Sequence, residues 1–283
     1  MGGKQKLPEL VSLSISAWSL KARFALKHHG IKYRTTPYTP LAGELWLRLR
    51  LCEWRRKLTV PVMFTPQGGV LMQSYDIARW ADEHSARPGA EKLFPEGREE
   101  EVSSWNAKSD TVLFFGRQAL VRQLKVDPSP AVPPGLTWLG PVGRSLVRLI
   151  AGRLGSKYRA EGDTTSLEKA LAVLREAQAA LRTAPTAPPA TSPTSPTSPS
   201  GPSPAGPLRH LVAGRLTYAD IAIAVATMTL KPLGPPFSNT PRGAVRELQP
   251  HLSEFADLLA WRDALFAAHY PTTTTSSSSS AAA

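Results

Sequence analysis

Ser16-Ala17-Trp18-Ser19 stands where an alternating apolar run, Val11, Leu13 and Ile15, gives way to a helical pattern. A Cys-x-x-Cys at such a turn would exchange disulfides, because a helix N-terminus favours a thiolate. Both sulfur positions here hold serine, so dithiol exchange is excluded at this turn. A serine hydroxyl can instead donate a hydrogen bond to the thiolate of a small-molecule thiol, and Ser16 at the strand end is the candidate for that role. Ser19 is expected to N-cap the helix. Thr59-Val60-Pro61-Val62 is the second constellation. Proline lacks an N–H and is rare inside central strands. A cis bond before Pro61 at a strand start would turn the Val60 backbone outward, where a peptide-like ligand can pair with it; a trans proline at a strand start is the alternative. Gln73-Ser74 is the third: the helix N-terminus it opens, with the serine hydroxyl, makes a carboxylate site.

A basic run follows a different logic. Residues 45–57, LWLRLRLCEWRRK, carry Arg48, Arg50, Arg55, Arg56 and Lys57 beside only Glu53. Such a face would hold anionic groups, or lie solvated or against a partner. The histidines at 28, 29, 84, 210, 251 and 269 show no metal-ligand spacing, so no metal is expected. Arg144, Arg148, Arg153, Lys157 and Arg159, set among Leu146, Val147, Ile150 and Leu154, read as a basic amphipathic helix, expected to pack on a core with a solvated basic face; contact with a membrane is the alternative. Trp18 and Trp105 either wall an apolar pocket or pack between domains.

The elements that must position these residues divide in two. Strands are expected over Val11–Ile15, Ile31–Tyr38, Thr59–Thr65 and Val70–Met72, with helices over 19–30, stopped by Gly30, and 75–83. That β-α-β unit followed by a hairpin and helix is a thioredoxin-like order. After Phe94-Pro95 the periodicity is helical at 98–124, 143–159, 165–182, 217–230 and 251–269. The expected fold class is α/β plus all-α, a thioredoxin-like N-terminal domain (1–95) followed by a helical-bundle domain (96–271). Residues 184–207 hold nine prolines and no aliphatic side chain larger than alanine, so a disordered or polyproline-type insert is expected there. Residues 272–283 form a low-complexity tail.

Composition bounds the cellular setting. The chain has 283 residues, a formal charge of +12 and one cysteine, Cys52, which rules out an intramolecular disulfide framework. Residues 1–95 carry 15 basic and 7 acidic side chains, a net +8. No apolar run is long enough for a membrane span, and the N-terminal residues lack an apolar signal core. A cytoplasmic protein is expected.

Together the motifs resemble the glutathione transferase family. The carriers are Ser16-Ala-Trp-Ser-Leu-Lys-Ala-Arg-Phe-Ala-Leu with His28-His29-Gly30-Ile31-Lys32-Tyr33, Thr59-Val-Pro-Val, Gln73-Ser74, and Gly214-Arg-Leu-Thr-Tyr-Ala-Asp-Ile-Ala222. The resemblance, to serine-type zeta-like and tau-like members, spans roughly 8–182 and 208–271. It implies glutathione as co-substrate and no metal. Ser16 would be the thiol-activating residue. Val60 before a cis-Pro61 would pair with the cysteinyl backbone, and Gln73 and Ser74 would hold the γ-glutamyl group. Lys57 and Thr59 would lie at the glycine carboxylate. Thr217 and Asp220 would form a capping box, a folding feature. The implied function is thiol attack on a small apolar electrophile, in a homodimer acting in detoxification, with no nucleic acid or membrane involved. Ala17, Ser19 and Thr59 stand where proline, cysteine, and glutamine or lysine are usual. These departures motivate the alternative, a catalytically weak protein of this fold that binds ligands or partners. A module docking nucleic acid or an anionic membrane through 48–57 is the third reading.

Overall fold

The computed structural model describes residues 6–39, 42–129, 140–157, 165–185, 208–234, 237 and 245–270. Most of the proline-rich insert and the whole tail lie outside them. The chain begins with β1 (Glu9–Ser12), α1 (Ala17–His28), β2 (Arg34–Pro37), α2 (Ala42–Leu51), β3 (Val62–Phe64), β4 (Val70–Leu71) and α3 (Ser74–Glu83). It continues with α4 (Glu99–Val126), α5 (Pro141–Lys157), α6 (Leu167–Thr183), α7 (Tyr218–Ala226) and α8 (Ala256–His269). The expected fold class holds: a four-stranded mixed sheet with helices, then helices.

The sheet order is β2-β1-β3-β4, with β1 parallel to β2 and antiparallel to β3. Alternation along β1 sends Leu10 to one face and Val11 to the other. Leu10 and Met63 pack with Leu20, Phe24 and Ile77 of α1 and α3. Val11 and Val62 pack with Leu47 of α2 and with Leu58. Glu9 shares the Val11 face and is buried there. Arg50 of α2 grips it through two bonds of 2.8 Å, and Arg34 and Thr36 reach it at 2.7 and 2.6 Å. These donors hold the Glu9 carboxyl well below the usual range, and the cluster pins α2 to the sheet.

The first strand ends earlier than the alternation suggests. Ile15 is exposed, because the Ser16 amide turns back to the Leu13 carbonyl before the helix starts. Gly30 ends α1 as expected, with φ +64°, and the Ile31 amide returns to Leu26.

The helical half is organised around α7, in which all nine residues are buried. It packs on α4 and also touches α1, so it ties the two halves together. Its start is fixed by Asp220, whose carboxylate accepts the Thr217 amide at 2.8 Å, the Thr217 hydroxyl at 3.0 Å and the Leu211 amide at 2.8 Å. The expected pairing of Thr217 with Asp220 is therefore present. No helix among the described residues is long and apolar enough to cross a membrane.

Candidate functional site

Strand register gathers the candidate residues. Val11 pairs with Val62, so the chain beyond Ser12 and the chain before Val62 meet at one edge of the sheet. Met63 pairs with Leu71, which brings the segment after Leu71 to the same edge. The loops holding Ser16, Val60-Pro61 and Gln73-Ser74 thus lie side by side. The Val60–Pro61 bond is cis, the form expected from its place at a strand start.

Ser16 is the N-cap of α1. Its backbone is extended, and its hydroxyl oxygen accepts the Ser19 amide at 3.3 Å. The capping role expected of Ser19 therefore belongs to Ser16. The helix begins at Ala17, which puts Ser19 inside the first turn. There it is buried, and its hydroxyl accepts the Leu13 amide at 3.3 Å. Because Ser16 accepts from its helix, its own hydroxyl proton is left to donate. No acidic residue occupies the first turn of α1, so no side chain of that turn offsets the positive end of the helix dipole.

Gln73 is the N-cap of α3 but its side chain does not cap the helix; it is exposed at the site edge. Ser74 opens the helix and is buried. Beside it lies the Tyr218 hydroxyl, fully buried, without a well-formed hydrogen bond and pushed up by burial. Thr59 and Val60 are half-buried, Pro61 is buried and Lys57 is exposed.

The basic run is largely committed elsewhere. Arg50 holds Glu9. Arg48 meets Glu44 at 2.8 Å and donates to the carbonyls of Glu53, Trp54 and Arg56, folding the loop back on the end of α2. Glu53 accepts the amides of Arg55 and Arg56, each at 3.0 Å. Glu53 lies within the run and Glu44 one helical turn before Arg48, whereas Glu9 comes from a strand 41 residues before Arg50.

Sequence reasoning missed one cluster. The Lys21 ammonium is fully buried between α1 and α4. It donates to Asp110 at 2.9 Å, Ser109 at 2.7 Å and Asn106 at 3.1 Å. Trp18 Nε1 donates to the same Asp110 oxygen at 2.9 Å. The helix carrying Ser16 is thereby fastened to α4. The signal was a lysine between Leu20 and Ala22 on an apolar face. Trp18 also packs on Phe114, and Trp105 is buried, so both tryptophans pack between the halves. Among the described residues no group of three or more His, Cys, Asp or Glu is placed to hold a metal ion.

Residues 15–84 match the family model of the glutathione S-transferase N-terminal domain. No curated protein matches the chain. Among solved structures, it resembles glutathione transferase GSTFuA3 of Phanerochaete chrysosporium at 16% identity, covering 92% of this chain and 98% of that one, with a TM-score of 0.56. It also resembles a glutathione S-transferase of Ceriporiopsis subvermispora in complex with glutathione, at 17% identity, 95% and 100% coverage, and a TM-score of 0.55. A third is a glutathione S-transferase of Methylobacterium radiotolerans in complex with glutathione sulfonate, at 18% identity, 93% and 91% coverage, and a TM-score of 0.52. These likenesses carry the fold, and the family match bears on residues 15–84. Residues 15–84 are thus similar to the glutathione S-transferase N-terminal domain, and the chain shares the fold of the glutathione transferases it resembles.

Proposed function

We propose that this protein binds glutathione along the shared edge of the three loops and activates its thiol for attack on an apolar electrophile. The observation that carries the reading is the state of Ser16. It sits at a helix N-terminus with its oxygen engaged by Ser19 and its proton available to an anion. The edge also fits a short peptide with two carboxylates. The Gln73 side chain is uncommitted to capping, the α3 N-terminus offers amide donors, and Lys57 supplies a cation at the other end. Glutathione bound to one similarly folded protein, and glutathione sulfonate bound to another, support the same choice.

In this reading Gln73 and Ser74 hold the γ-glutamyl carboxylate, and Val60 pairs with the cysteinyl backbone. Thr59 and Lys57 meet the glycine carboxylate. The Ser16 hydroxyl and the α1 N-terminus stabilise the thiolate, lowering the cost of losing its proton. The sulfur lone pair then forms a C–S bond at the electrophilic carbon, and the leaving group departs with its electron pair. The corresponding cellular role is a cytoplasmic, homodimeric detoxifying transferase.

Ser16→Ala tests the assignment with glutathione and an activated aryl chloride. Losing a hydrogen bond to an anion lowers turnover about 10- to 100-fold. Glutathione affinity should stay within about twofold, because that bond is made mainly to the reacting sulfur. Equal losses in turnover and affinity would overturn the role of Ser16. A wild-type protein that binds glutathione and turns over no electrophile would leave the alternative, a ligand-binding member of the fold.

A further inference from the structure

Helix α2 presents an apolar face to solvent. Only Leu47 of its ten residues is buried, against Val11, Leu58 and Val62. On the outer side Leu45, Trp46 and Leu49 are 54, 40 and 59% exposed, and their spacing puts them on one face. Trp54, also 59% exposed, follows in the loop that Arg48 folds against the helix end. A surface helix ordinarily turns its charged residues outward. Here the charged residues of the helix are turned to partners: Arg48 to Glu44, Arg50 to Glu9, and Glu44 also to Lys157 of α5.

Cations flank this face. Arg55, Arg56 and Lys57 are exposed beside Trp54. Arg55 and Arg56 lend Glu53 only their backbone amides, and neither guanidinium forms an ion pair among the described residues. We infer that α2 and the 52–57 loop form a docking surface for an anionic lipid membrane. Leu45, Trp46, Leu49 and Trp54 would sink into the headgroup boundary while Arg55 and Arg56 meet lipid phosphates.

Two features choose a lipid surface over a protein groove. The apolar side chains protrude from a helix and do not line a cleft. The tryptophans, with an apolar body and one N–H, suit the boundary between hydrocarbon and water. The excess positive charge of residues 1–95 attracts the same surface from a distance. With no spanning helix among the described residues, the attachment is peripheral and reversible. This departs from the expectation that no membrane is involved, which weighed the charge of 48–57 without the outward turn of Leu45, Trp46 and Leu49. It stands whether or not glutathione binds.

The test uses the full chain in co-sedimentation with vesicles of phosphatidylcholine alone and of phosphatidylcholine mixed with phosphatidylserine. The protein should bind the mixed vesicles at low salt, bind phosphatidylcholine far more weakly, and detach as salt rises. Leu45→Glu/Leu49→Glu and Arg55→Glu/Arg56→Glu should each weaken binding by about tenfold or more. Circular dichroism should match the parent, since all four positions are exposed. Absence of binding to the mixed vesicles, or equal binding by folded variants, would overturn the proposal. Sedimentation velocity without vesicles supplies a further check. A dimer that Leu45→Glu/Leu49→Glu converts to a monomer would mean that a second copy covers this face, and the lipid proposal would fall.

Discussion

Asp110→Ala removes the only carboxylate that meets the buried Lys21 ammonium among the described residues. Lys21 is fully buried and keeps its charge through Asp110 at 2.9 Å, with Ser109 and Asn106 completing its donors. Burial pulls the Lys21 pKa down, and the Asp110 charge pushes it back up. Without Asp110, the protein must bury an uncompensated ammonium or lose its proton. Breaking a buried pair from this side costs about 3–5 kcal/mol, a fall in Tm of roughly 10 °C for a chain of this size. Lys21→Met differs, because it replaces the buried charge with an apolar side chain of similar length. It leaves Asp110, a quarter exposed, with water and Trp18. That change costs about 1 kcal/mol or less. A pH signature separates the two. In Asp110→Ala, Lys21 has a folded pKa below its unfolded value of about 10.4, so the unfolded state holds the proton more tightly. Stability of this variant therefore rises with pH up to about 10, and its deficit shrinks between about pH 7 and pH 9.5. Urea unfolding at the two pH values measures this. A deficit equal to that of Lys21→Met, or one that does not change with pH, would refute the argument.

Other consequences follow from the same contacts. Burial, with His210 and His28 nearby, pushes His269 down to about 4, and burial also depresses His28. Their folded values lie below the unfolded value of about 6.5. Stability is thus complete above that pH and falls between about pH 6.5 and pH 4, by about 3 kcal/mol at most for His269 because part of the ring reaches solvent. An unchanged urea midpoint between neutral and mildly acidic buffer would contradict this. Glu9→Gln takes the anion from Arg50 and Arg34. Both guanidinium groups can turn to water, so the loss is about 2 kcal/mol, below that of a fully buried pair, read by thermal unfolding. A Cβ at Gly116 would lie 2.4 Å from Thr229 Cγ2, so Gly116→Ala should cost about 1–3 kcal/mol by overpacking α4 against the turn after α7, measured the same way.

Most of the helices were legible because their periodicity is local; α2 was not, because Leu45, Trp46 and Leu49 face outward and its arginines read as a charge run. Thr217 and Asp220, three residues apart, announced the start of α7. Gly30 announced the end of α1. The three loops of the site were legible as motifs, each within four residues. What escaped the sequence was pairing across distance. Glu9 and Arg50 lie 41 residues apart, and Lys21 and Asp110 lie 89 apart. No local pattern says that a charge is matched by another element, so Arg50 read only as part of a face that could hold anions, lie solvated or meet a partner, when it holds α2 to the sheet. The helix start at Ala17 was missed for a related reason. Ser16 and Ser19 are both good caps, and the choice depends on where β1 ends, which sheet pairing decides.

Calorimetric titration of the purified protein with reduced glutathione, beside the Gln73→Ala/Ser74→Ala double variant, tests the central claim most directly. The account predicts saturable binding to the parent and its loss in the folded double variant, because the α3 N-terminus and these two side chains hold the γ-glutamyl carboxylate. Absence of binding at millimolar glutathione, or binding that survives in the double variant, would contradict it.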